Sequence, residues 1–304
     1  MNLHLSIPAH SALAHYIAAK ELSSSLLEFS NEFRLATLTA RCDLPSDFED
    51  LPDLPDRLRG ALGNALERQQ ASSSTGWLSL VPSLHDMIFG PGIKHGSRTL
   101  SRPFALHVNI SGKMLEIVIH LTGIAASHVA SAEKALRDSL QSGIAIKHHS
   151  KHRVIVNCHA IHTTWQHALE LENLRREIRL VHKTPMRIRS GQSLSYANDK
   201  VIPTILRRCN DLALWNGISI DEDIRRLVGL AQNIRIDDQR NIVTPWRRFS
   251  RNSGPAGQWK QGLTGHLILR GELQPFAPAF ALAALFNAGS ETSQGFGRVE
   301  FWDA

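Results

Sequence analysis

Only three cysteines occur in the 304 residues, Cys42, Cys158 and Cys209, and they lie far apart. That excludes a disulfide scaffold, and no two of them stand at zinc or redox spacing. The odd count, together with an amino-terminal stretch lacking a basic segment ahead of its apolar residues, predicts a cytoplasmic protein. No run of about 18 apolar residues occurs anywhere, so no membrane partner is expected. Charge of one sign is not in large excess either: 34 Lys and Arg face 28 Asp and Glu, for a net charge of +6. A uniformly polycationic nucleic-acid coat is thereby excluded, and any polyanion site must come from how charge is distributed.

The distribution is uneven. Acidic residues crowd into 43–56, whereas paired arginines stand at 175/176, 207/208, 225/226 and 247/248. A basic second half beside an acidic loop favours a phosphate-bearing partner. The length allows one large domain or two of roughly 150 residues.

Periodicity gives an α+β reading with two antiparallel sheets, each covered by helices on one face. Residues 33–42 alternate as a half-buried strand does, and residues 55–70 have helical spacing with Pro55 and Asp56 at the start. Two strands around 104–110 and 114–122 flank Ser111 and Gly112 as a hairpin turn. A helix over 127–143 has Ser127 as its cap and Gly143 as its stop, and residues 152–161 form a last strand. In the second half a strand over 177–189 is interrupted by Pro185. A helix over 201–217 is stopped by Asn216 and Gly217, and the next carries acids in its first turn.

The carboxy-terminal run is the most informative. WRRFSR (246–251) leads into a strand (262–271), an apolar helix (275–286) and a loop, NAGSETSQGFG (287–297), ahead of a final apolar strand. Glycine permits positive φ and close backbone approach, while arginine forks match phosphate oxygens. LRGALGNALER (58–68), HKTPMRIRSG (182–191) and VIPTILRRCNDL (201–212) precede it. In this order the motifs resemble the CRISPR repeat-RNA processing endoribonucleases, the sixth CRISPR-associated protein family of the RAMP superfamily. The sequence departs from that family before the glycine loop, where His and Lys are frequent and Asn287 to Ser290 stand here. It departs again at Asn64, where a His or aromatic is common.

The resemblance implies two tandem ferredoxin-like (RRM-like) domains with a glycine-rich loop near the carboxy terminus. Residues 1–30 would be an extension, 31–170 the first domain and 171–304 the second. It also implies metal-independent cleavage of CRISPR repeat RNA at a stem-loop by 2′-OH attack, with no cofactor. The guide RNA product would stay bound, and other subunits of a CRISPR effector complex would be partners. A non-catalytic subunit capping the 3′ hairpin of the guide RNA is the alternative, motivated by the missing His and Lys.

Metal-free cleavage needs a base, an acid and cations around the phosphate. Sixteen histidines are present, so abundance selects none. The candidates are His15 with Tyr16, at one edge of a helical pattern, and His182 beside Lys183 in the family-like strand. Candidate RNA contacts are Arg59, Lys183, Arg187, Arg189, Arg207, Arg208, Arg247, Arg248, Arg251 and Arg298, with Gly289, Gly295 and Gly297 shaping the loop. Trp246 or Trp259 suits an unpaired base or the core. The His-rich run 148–162 invites zinc, but period two puts Cys158 and His159 on opposite faces, and no metal site is expected.

Overall fold

In the computed structural model the described residues are 22–45, 54–72, 82–95, 98–145, 153–190, 193–195, 197–238, 241–248 and 258–304. A short helix, α1 (Leu26–Asn31), opens them, with a capping box of Ser25 and Glu28. The alternating segments of the first half then form one antiparallel sheet. Its strands are β1 (Leu35–Asp43), β2 (Phe104–Ser111), β3 (Met114–Thr122) and β4 (Asn157–Gln166), in the spatial order β2-β3-β1-β4. Helix α2 (Leu54–Ser72) joins β1 to β2, and α3 (Val129–Gln141) joins β3 to β4.

The second half repeats the plan. Strand β5 (Glu177–Met186) is followed by α4 (Val201–Trp215) and α5 (Asp221–Ala231). Strands β6 (Arg235–Asp238), β7 (Ile242–Arg248) and β8 (Gln258–Arg270), helix α6 (Ala277–Phe286) and β9 (Val299–Asp303) complete it. The sheet runs β6-β8-β5-β9, with β7 paired along the other end of β8. Each half is a strand-helix-strand-strand-helix-strand unit with its first strand central, so the architecture is two ferredoxin-like units in tandem.

Two local expectations are corrected. Ser127 does not cap α3: it lies in a 3-10 turn (Gly123–His128), where its hydroxyl donates to the Ile124 carbonyl at 2.7 Å. The last strand of the first sheet is displaced towards the carboxy terminus, because β1 pairs along its length with 157–166, while Arg153–Val154 pairs with Ile144–Ala145. The interruption expected at Pro185 is present as an irregularity in the β5 pairing between His182 and Met186. The hairpin turn holds, with Gly112 at φ 59° between β2 and β3.

Two apolar cores follow. Leu58, Leu62 and Leu66 of α2 and Ala132, Leu136 and Leu140 of α3 pack on Leu38, Ile117, Ile119 and Leu121. In the second, Ile202, Ile205, Leu206 and Cys209 of α4 and Phe276, Phe280 and Phe286 of α6 pack on Leu180, Leu267 and Leu269. Side chains of this size contribute about 1.5–3 kcal/mol each on full burial. The cores interlock, since Leu26, Phe29, Phe33 and Ala105 belong to the second, and Leu214 and Trp215 to the first.

Candidate nucleic-acid interface

The glycine loop leaves α6 through Asn287, a non-glycine residue at φ 65°, fully buried. The side chain explains why this conformation persists. Its Oδ1 lies 2.7 Å from Nε2 of His107, and its Nδ2 donates to the Thr292 carbonyl at 3.3 Å. The loop closes on itself where Ala288 N–H donates to the Gly297 carbonyl at 2.7 Å, and it is tied to β5 where Gly297 N–H donates to the Pro185 carbonyl at 2.9 Å. Ser290 N–H donates to the Arg187 carbonyl at 2.8 Å. Beyond the loop, Arg298 Nη1 donates to Asn109 Oδ1 at 2.6 Å, and Arg298 N–H to Thr184 Oγ1 at 2.9 Å. Both roots of the loop are therefore pinned by alternate residues, His107 and Asn109, on β2 of the other unit.

A cleft of about 230 Å³ opens beside the loop. Its walls are the start of α2 (Leu54 to Asp56), Val108 and Ile110 of β2, Thr184 and Pro185 of β5, Trp246 of β7 and the turn Gln294 to Phe296. No histidine is among these lining residues.

Of the catalytic candidates, His15 and Tyr16 lie outside the described residues. His182 is 7% exposed, opposite Gly265 and Val299, and neither ring nitrogen has a hydrogen-bond partner among the described residues. Burial, with the His266 charge adding, pushes its pKa down to about 4.

The cations differ in setting. Arg187 is buried and paired with Glu291 at 2.7 Å, a carboxylate that also holds Lys260 at 2.7 Å. Arg208 is buried and caps the end of α6, its Nε donating to the Phe286 carbonyl at 2.7 Å. Lys183 and Arg298 share Glu300 at 3.6 and 3.8 Å on the surface near the loop. Arg207 is exposed on α4, and Arg59 lies 4.6 Å over the Phe89 ring. Of Arg189, Arg247 and Arg248 only the strand backbone is described, and Arg251 lies outside the described residues, as do His148, His149 and His152. Among the described residues no cluster of three His, Cys, Asp or Glu side chains could hold a metal ion. No helix there is long and apolar enough to cross a membrane.

Residues 180–299 match the family model of the CRISPR-associated endoribonuclease Cas6. That match falls within the second unit. Solved structures share the fold over more of the chain. A Cas6 product complex matches with a TM-score of 0.55 at 14% identity, covering 88% of this chain and 98% of that one. A second Cas6 product complex gives 0.54 at 16%, covering 88% and 99%. Cas6 of Thermus thermophilus gives 0.54 at 11%, covering 88% and 98%. The sequence matches no curated protein. The Cas6 match spans β5 to the start of β9, and so contains the whole glycine loop.

The sequence does not single out His107, which joins the loop to the first unit and stands against His120. His107 and His120 stand 5.2 Å apart, ring to ring, and His120 Nδ1 lies 3.0 Å from Thr37 Oγ1. Burial, then the Arg298 charge, push His107 down to about 4 despite the bond to Asn287. Burial, His107 and Arg298 push His120 down to about 3. Both folded-state values lie below the ordinary 6.5, so the unfolded chain binds protons that the folded one refuses. The stability they confer is full above about pH 6.5 and is lost as pH falls through 4 towards 3. The thermal midpoint is expected to be flat from pH 8 to 6.5 and to drop steadily below it. A midpoint unchanged down to pH 4.5 would show that the rings are solvated.

Proposed function

We propose that this chain binds CRISPR repeat RNA along the seam between its two units and cuts it into guide RNA. The observation that carries this reading is the glycine loop, held at positive backbone angles and anchored at both ends, next to a cleft, to the exposed Lys183 and to the partly buried Arg298. A loop so fixed can present backbone to a phosphate without reorganising when the RNA arrives.

The reaction is in-line attack. The 2′ oxygen bonds to phosphorus, its proton passes to a base, and the bond to the 5′ oxygen breaks as that oxygen takes a proton. The products are a 2′,3′-cyclic phosphate and a 5′-OH. His182 is too enclosed to exchange protons with a substrate, so this reading assigns proton transfer to His15 and Tyr16. No metal takes part, and the stem-loop product stays bound and passes into an effector complex. The cytoplasm is where the substrate is made.

The segment Asn287 to Ser290, which stands where His and Lys are frequent in the family, supports the second reading, a subunit that caps the guide RNA hairpin without cutting. One experiment separates the two. Repeat RNA is incubated with the protein in EDTA, beside RNAs carrying one 2′-deoxy residue at each position. A single cut, abolished by one deoxy substitution and by His15→Ala with affinity retained, is the expected result. Bound but intact RNA would favour the capping subunit, and strict dependence on divalent metal would overturn the mechanism.

A further inference from the structure

The cleft beside the loop is a poor place for a phosphate. None of its lining residues is cationic, and Asp56 contributes a carboxylate. Its walls are flat and apolar. The Trp246 indole meets the Phe296 ring edge to face at 5.7 Å and 66°, and the Pro55 and Pro185 rings also line the space. Thr184 Oγ1 is already committed, donating to the Gly295 carbonyl at 2.7 Å. By contrast the side-chain oxygen of Gln294, which also lines the cleft, is buried with no hydrogen-bond partner among the described residues. A buried acceptor left unpaired is costly, and a ligand donor would recover that cost. The site therefore selects a flat, uncharged, aromatic group with N–H donors on its edge.

We propose that this cleft is a slot for one unstacked nucleobase bearing an exocyclic amino group. The base lies against Trp246, with its amino group towards the Gln294 oxygen, and its own phosphate remains outside near Lys183 and Arg298. The amino group separates adenine, cytosine and guanine from uracil, which at its exocyclic positions offers only carbonyl oxygens to the Gln294 acceptor and keeps a single ring N–H. Trp259, the other tryptophan singled out in the sequence, is 68% exposed and is not part of the slot. The inference rests on the RNA-binding reading above and adds a sequence preference at one nucleotide.

The test is a double-mutant cycle on affinity. Repeat RNAs blocked by a 2′-deoxy at the cut site, each with one abasic position, are titrated against the wild-type protein and Trp246→Ala. At one position the abasic change is expected to cost about tenfold to a hundredfold with wild type and nothing further with Trp246→Ala, the range seen for single base stacks. At that position, converting the amino group to oxo, as in cytosine to uracil, should weaken binding to wild type but not to Gln294→Leu. This second variant leaves the aromatic wall intact, and thermal melts confirm that both variants fold. Intact RNA that binds while no position couples to either variant overturns the slot and leaves the RNA reading standing. Intact RNA that does not bind overturns both.

Discussion

Gly297→Ala is expected to lower cleavage of repeat RNA by about a hundredfold or more, the scale on which displacing a reacting group by about 1 Å acts. A Cβ on this residue would lie 1.7 Å from the Ala288 carbonyl oxygen. The obstacle is backbone, which cannot rotate away as a side chain would. The residue also sits at φ 72°, where a side chain costs of order 1–3 kcal/mol. The Gly297 carbonyl accepts from Ala288 N–H and its own N–H donates to Pro185, so relieving the clash breaks the closure of the loop and its tie to β5. The measurement is single-turnover cleavage with saturating enzyme, beside a thermal melt. A variant that cuts at the wild-type rate would show that the loop does not address the reacting phosphate.

Glu291→Gln is expected to destabilise the protein by about 3–5 kcal/mol, the usual cost of removing one partner from a buried ion pair. Its carboxylate lies between Arg187 and Lys260, each at 2.7 Å, and the three side chains are only 13, 8 and 16% exposed. Burial alone would raise the Glu291 pKa. The Lys260 hydrogen bond and the two cationic charges outweigh burial and hold it below the ordinary carboxylate value. The neutral amide would leave two enclosed cations facing each other. Glu291 is also a non-glycine residue at φ 63°, a conformation these contacts hold in place. Urea unfolding at pH 7 measures the loss, and Arg187→Met in the same chain should restore part of it. A loss under about 1 kcal/mol would mean that solvent already screens the group.

Much of the scaffold could be read from the residues because its signals are local. The Gly112 turn, the stop of α4 at Asn216 and Gly217, and the glycine-punctuated segment after α6 each depend on a few neighbours. The site depends on distant ones. His107 and Asn109 alternate with apolar residues on β2, a pattern that marks one face of a strand but does not say whether water or protein covers it. Their partners, Asn287 and Arg298, are 180 and 189 positions away. Arg187 stands among the candidate RNA contacts for the same reason: nothing nearby announces Glu291. His182 is different, because Ile178 and Leu180 precede it at period two and the strand itself turned the ring inward. That signal is local to the strand.

Phe33 meets the Phe286 ring edge to face at 5.9 Å, and Leu26 N–H donates to Asp223 at 2.8 Å. Residues that precede the first sheet in the chain thus help to close the core beneath the second. Cutting between β4 and β5 would not yield two self-sufficient pieces: the later fragment would expose the surface that Leu26, Phe29 and Phe33 cover, and the earlier one would carry those side chains with nowhere to place them. What repeats as two sheets is, in the sense of what can be detached, a single unit, fastened from the side opposite the loop in sequence as well as by the loop itself.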